Sequence, residues 1–112
     1  MLFDDALKLI QTEFEVRKVA ELCYLIKTGL TYDGVNSFFI TLYGYGNELI
    51  LSDTGRTVEI LDEVPLSNLE NLCNENDFNF VNYKITLKFN GLESVYNYIN
   101  FMNKLADIYR PL

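Results

Sequence analysis

The apolar positions of the chain first recur with the period of a helix. Phe3, Ala6, Leu7, Ile10 and Phe14 repeat every three to four residues between Leu2 and Phe14. Asp4 and Asp5 fall in the first turn, where the helix dipole favours negative charge. From Val16 to Thr28 the period changes to two. Ala20, Leu22, Tyr24 and Ile26 share one face and Glu21, Cys23 and Lys27 the other, which predicts a strand. The stretch from Gly29 to Gly34, GLTYDG, has the Asp and Gly of a hairpin loop, and a second strand is expected from Val35 to Tyr43. Tyr43 to Asn47, YGYGN, supplies residues that accept positive φ and reads as a turn into a third strand, Glu48 to Ser52.

After that strand, DTGRTVEILDEV fits a short helix through Val58 and Leu61, with Asp53 as N-cap and Arg56 at the third helical position. Pro65 ends it. Ser67 is placed to cap another helix carrying Leu69, Leu72 and Cys73, with Glu70 completing a capping box. Val81, Tyr83, Ile85, Leu87 and Phe89 then alternate with Asn82, Lys84, Thr86 and Lys88, as a half-buried strand would. Asn90 as cap and Glu93 three residues on open a last helix that runs to about Tyr109, before Pro111. The expected order is α-βββ-αα-β-α. This is an α+β domain whose antiparallel sheet of three to four strands, a meander plus one later strand, packs against N- and C-terminal helices.

The last helix carries more apolar surface than one core contact needs. Leu92, Val95, Tyr96, Ile99, Met102, Ala106 and Tyr109 form one stripe; Tyr98, Phe101, Leu105 and Ile108 form a second beside it. The second stripe reads either as packing under the first helix or as an interface, a homodimer included.

At 112 residues, with 49% hydrophobic and 22% charged residues, the chain suits a single globular domain. No apolar run reaches the roughly 18 residues of a membrane span, so no membrane is expected. The acidic start Met1-Leu2-Phe3-Asp4-Asp5 lacks the basic flank of an export signal, which suggests a cytoplasmic setting with Cys23 and Cys73 as reduced core thiols. The net charge of −7 is unevenly spread. Glu48, Asp53, Glu59, Asp62, Glu63, Glu70, Glu75 and Asp77 lie in one segment with Arg56 as its only base, while the rest of the chain is neutral in sum. A chain so charged repels phosphate backbones, so nucleic acid is not expected as a direct partner.

Candidate chemistry centres on Asp53-Thr54-Gly55, which follows two apolar residues and a serine as in the active loop of aspartic proteases. Such single-lobed enzymes need a second glycine-containing motif downstream and are almost wholly β; this chain lacks the first and ends in a helix. Arg56 beside the loop would hold Asp53 as an ordinary anion rather than let it share a proton. With no histidine, the usual serine and cysteine triads have no base. Two isolated cysteines do not make a zinc site, the acidic segment has no calcium loop, and YGYGN has no lysine-serine continuation for phosphate. No metal or cofactor is therefore expected. Tyr32 and Asp33 in the first loop, with Asp53, Gly55 and Arg56, could form a small polar site if the strands pair in simple register.

Residues 26–63 resemble an uncharacterised bacterial and phage family, the domain of unknown function numbered 1828. Members pair an Asp-Gly hairpin with a strand ending Leu-(Ser/Thr)-Asp-x-Gly-x-Thr and a short helix. The matching positions are Asp33 and Gly34, then Leu51, Ser52, Asp53, Gly55, Thr57 and Leu61. Val35-Asn36 stands where the family often has a second Asp and an apolar residue. The resemblance implies the setting of a phage or mobile element and brings no activity with it. Sequence alone thus points to a non-catalytic acidic binding protein. Glu48, Glu59, Asp62, Glu63, Glu70, Glu75 and Asp77 would meet a host protein with a basic surface, for instance a nucleic-acid-handling defence enzyme inhibited by phosphate mimicry. The alternative is a small hydrolase or ligand-binding domain using Asp53 and Asp33.

Overall fold

The structure, a computed structural model, describes residues 1–32, 34 and 37–109. The element order is α1 (Phe3–Gln11), β1 (Glu15–Ala20), β2 (Cys23–Lys27), β3 (Ile40–Tyr45), β4 (Glu48–Ser52), α2 (Arg56–Ile60), α3 (Leu66–Glu75), β5 (Asn79–Val81), β6 (Lys84–Lys88) and α4 (Leu92–Tyr109). The class is α+β, as the sequence implies, but the sheet has six strands rather than three or four, in the order β1-β2-β3-β4-β6-β5, and every pairing is antiparallel.

The two additional strands come from segments that read as single strands. Residues 16–28 fold back at Glu21-Leu22, where Ala20 pairs with Cys23 and Leu22 takes φ +54°. Residues 79–88 fold back at Asn82-Tyr83, with Val81 paired to Lys84 and both turn residues at positive φ (52° and 63°), as a type I′ hairpin requires. Glu48–Ser52 lies where expected, joined to β3 by a turn in which Gly46 supplies φ +60°. The strand expected from Val35 begins only at Ile40, and the loop before it is closed by an isolated bridge between Thr31 and Ser37. Asp33, Val35, Asn36 and Pro111 lie outside the described residues.

Two expected caps do not form. Pro65 occupies the N-cap position of α3 and Ser67 lies inside the helix, so no Ser67–Glu70 box is made. At the start of α4 the Asn90 N–H is accepted by Ser94 Oγ at 3.3 Å, and Ser94 Oγ donates to the Gly91 carbonyl at 2.6 Å.

Register assigns each strand residue to a face. On one face Ile26, Ile40, Leu42, Leu49, Leu51 and Ile85 are buried, and α1 contributes Ala6, Ile10 and the Phe3 ring, 5.8 Å from Tyr24. The α4 residues Val95, Tyr98, Phe101, Met102 and Leu105 complete that core, where Phe101 stacks on Phe78 at 4.4 Å. The other face carries Ala20, Cys23, Tyr43, Ile50 and Lys88 in one cross-strand row and Arg17, Leu25, Thr41, Ser52, Thr86 and Asn79 in the next. Of these eleven only Thr41 and Ser52 are buried. Among the described residues, no helix is long and apolar enough to cross a membrane.

Candidate functional site

Asp53 sits where β4 gives way to α2. Thr54 (φ +57°) and Gly55 (φ +84°) both turn left-handed behind it, so neither is helical. The helix therefore starts at Arg56, its first residue and not its third. The chain reversal aims the carboxylate back at the backbone. Oδ1 accepts from the Gly55 and Ile85 N–H groups, each at 3.0 Å, and Oδ2 accepts from the Thr57 N–H at 3.3 Å. The Asp53 N–H in turn donates to the Ile85 carbonyl at 3.3 Å. One residue thus caps the first turn of α2 and pins the end of β4 to β6.

The partners of this joint are buried as well. Asp53 and Thr57 have no exposed surface, and neither do Cys73, Tyr98 and Met102. Thr57 Oγ1 donates to Met102 Sδ at 3.8 Å, and the Tyr98 hydroxyl donates to the Ile85 carbonyl. Burial pushes the Asp53 carboxyl above its ordinary value; the hydrogen bonds from Thr57, Gly55 and Ile85 pull it back only in part. Burial likewise raises the Cys73 thiol to about 12, with the charges of Asp53 and Glu70 adding to it. It also lifts the Tyr98 phenol well above the usual 10.0, with Asp53 and Cys73 contributing. The cluster therefore holds neutral thiol and phenol groups around a carboxylate whose oxygens are occupied by backbone donors. A general base has to reach the proton it removes, and this one is sealed from solvent.

Arg56 does not pair with Asp53, contrary to the expectation from its position. Its guanidinium turns outward, donating to Glu59 Oε2 at 3.2 Å and to the Ser37 carbonyl at 3.2 Å, and lies 5.7 Å from the Phe39 ring centroid. Tyr32 is a core residue, 8% exposed and edge-on to Phe38 at 6.0 Å. Asp33 is outside the described residues. The polar site expected from Tyr32, Asp33, Asp53 and Arg56 is thus not assembled by the described members of the set. Among the described residues, no group of three or more Cys, Asp or Glu is placed to hold a metal ion.

The acidic segment divides three ways. Asp53 is buried. Glu59, Asp62, Glu63, Glu70, Glu75 and Asp77 are all exposed along α2, the turn after it, α3 and its C-terminal end. Glu48 is exposed at the opposite end of β4, beside Tyr45 on the outer face of the sheet. The interface expected on α4 is corrected more sharply. Tyr98, Phe101 and Leu105 are core residues, 0%, 3% and 0% exposed, because Phe78 packs against Tyr98 and Phe101; of the four only Ile108 reaches solvent. A homodimer through that stripe would have only Ile108 of the four to use.

Sequence reasoning found Asp53, and named Thr57 only as a position of the resemblance, but did not place Cys73, Tyr98 or Ile85 around it. Cys73, Tyr98 and Ile85 read as ordinary apolar or helix-periodic positions; the placement of β6 beside β4 brings Ile85 to Asp53, and the packing of α3 and α4 brings the other two. Comparison with protein-family models, with curated proteins and with solved structures returned no match.

Proposed function

We propose that this chain is a non-catalytic binding protein, and that the carboxylates of α2 and α3 engage a basic surface on a protein partner. The observation that carries the reading is the state of Asp53. The one residue with the sequence setting of a catalytic acid spends both oxygens on backbone amides inside the core. The six exposed carboxylates from Glu59 to Asp77 support the binding half of the proposal, since Arg56–Glu59 is their only ion pair among the described residues. Carboxylates that are solvated and unpaired remain available for a partner's lysines and arginines and steer its approach.

The likeness of residues 26–63 to the phage and bacterial family named above suggests the setting. The partner class is then a host protein that handles nucleic acid, inhibited where carboxylates take the place of phosphates. The test is affinity capture from a bacterial lysate, followed by titration of the captured protein against wild type and a Glu59→Gln/Asp62→Asn/Glu63→Gln/Glu70→Gln variant. The reading expects affinity to fall steeply with salt and to be largely lost in the variant. A partner bound equally well by both proteins, with no salt dependence, refutes it.

A further inference from the structure

The acidic total conceals a sheet face of the opposite sign. The outer face presents Arg17, Lys27, Lys84 and Lys88 against Glu15 and Glu48, a balance of +2 in a chain of net charge −7. Glu15 and Lys27 neutralise each other at 3.6 Å. Arg17, Lys84 and Lys88 are exposed and make no ion pair among the described residues. They come from strands far apart in sequence, so no window of the chain reveals them together.

The same face is apolar between its charges. Tyr43 and Ile50 are cross-strand neighbours at its middle, Tyr45 is 76% exposed and Val81 56% exposed. Thr86, Ile50 and Tyr43 lie along a groove of about 330 Å³, whose walls are Asn79, Val81, Asn82 and Lys84 on one side and Tyr45 and Glu48 on the other. Among the described residues of the cross-strand rows on this face, only Thr41 and Ser52 are buried. Lys84 and Lys88 stand four residues apart on one strand, roughly 13 Å at the strand rise. An extended peptide presents every second side chain to such a surface at about 7 Å intervals, so facing carboxylates four residues apart match Lys84 and Lys88, with the facing residue between them over Thr86 and Ile50 beside Lys88.

We propose that this outer sheet face docks an extended acidic peptide segment whose facing side chains alternate between carboxylates, four residues apart, and aliphatic or aromatic residues. Charge complementarity selects an anion, and the apolar floor selects a peptide whose other side chains are greasy. Single-stranded nucleic acid suits the face less well. It brings a phosphate with every nucleotide, against three unpaired cations and the field of the acidic helices. The proposal is independent of the acidic-surface reading, because the carboxylates of α2 and α3 and the outer sheet face share no residue.

The experiment is fluorescence anisotropy with a labelled peptide of repeating Glu-Ser-Leu-Ser, which places glutamate and leucine alternately on one face. Its controls are a lysine-leucine peptide of the same length and oligothymidylate, and the proteins are wild type, Lys84→Glu/Lys88→Glu and the four-carboxylate variant. Both variants are first matched to wild type by circular dichroism and thermal midpoint, and wild type is checked for self-association by light scattering. The expected result is preferential binding of the glutamate peptide, weakened about tenfold or more by reversal at Lys84 and Lys88 and unchanged or tightened in the four-carboxylate variant. Preference for oligothymidylate overturns the proposal in favour of nucleic acid. Self-association abolished by the same two lysine reversals, with no competition by the peptide, overturns it in favour of a second copy. Absence of binding, or binding that ignores the two lysines, overturns it outright.

Discussion

Replacing Asp53 tests the joint on which the rest of the domain hangs. Asp53→Ala removes the acceptor for three backbone N–H groups at 3.0, 3.0 and 3.3 Å. Thr57 and Ile85 have no exposed surface, so water cannot replace the lost partner there; Gly55 is half-buried and recovers more easily. Each orphaned buried donor costs about 1–3 kcal/mol. Removing the buried carboxylate returns part of that, because burial already disfavours the ion. The balance is a loss of roughly 2–5 kcal/mol, a large share of the 5–15 kcal/mol that holds a typical domain. Asp53→Asn keeps one acceptor oxygen for Gly55 and Ile85 but sets an amide NH2 against the Thr57 N–H, so it falls between wild type and alanine. A simple N-cap would tolerate asparagine with little loss; this joint does not. Urea unfolding followed by far-ultraviolet circular dichroism measures both, the chain having no tryptophan. The sign of the pH dependence follows from the raised carboxyl. The folded state holds this proton more tightly than the unfolded one, so the site's contribution is fully present below 3.8 and is lost as pH rises from 3.8 through the folded value. Asp53→Asn removes that slope. If Asp53→Ala unfolds within about 0.5 kcal/mol of wild type, or asparagine and wild type coincide in both midpoint and pH profile, the joint is not what holds β4 to β6.

Three further outcomes follow from the same packing. Tyr98→Phe deletes the hydroxyl that donates to the Ile85 carbonyl and should lower stability by about 1–2 kcal/mol in the same urea assay, leaving the circular dichroism spectrum of the native state unchanged. The Cys73 thiol ionises at 9.0 when unfolded and near 12 when folded, so stability should fall as pH rises from 9.0 toward 12; Cys73→Ala should reduce that fall, with the remainder carried by Tyr98 in the same direction. Tyr83→Gly places glycine at φ +63° in the β5–β6 turn, and the resulting Asn-Gly pair should raise the urea midpoint by the equivalent of about 0.5–1 kcal/mol.

The two hairpins account for most of what the sequence concealed. Val81, Tyr83, Ile85, Leu87 and Phe89 alternate without a break, yet the chain turns at Asn82-Tyr83 and puts Val81 on the outer face while Ile85 enters the core. Alternation survives because Tyr83, at the turn, happens to be aromatic. Glu21-Leu22 offers even less warning, since neither residue favours positive φ and Leu22 adopts it anyway. By contrast β4 and its turn were readable because Gly46 and Asn47 mark the reversal chemically. The long amphipathic helices α1 and α4 were readable because their period extends over several turns. The burial of Tyr98 and Phe101 was not, because nothing local says that Phe78 will stack beneath them.

Charge was misleading in the opposite way, by being too legible. Counting signs along the chain assigns seven surplus carboxylates to residues 48–77 and treats them as one surface. The strand between Glu48 and Asp53 carries those two residues about 17 Å apart, Asp53 goes inside, and only the six residues from Glu59 onward share the helical layer. Meanwhile the pairing of β6 with β4 sets Lys88 opposite Ile50, so Glu48, the acidic segment's first glutamate, shares the face where the balance is positive. A six-stranded order in which β4 neighbours β6 and not β5 is therefore what separates the charges in space. A register error of one residue in that single pairing would move both lysines to the core face, where their burial without partners would be prohibitive. The polarity of the molecule and the correctness of its fold are in this sense the same constraint.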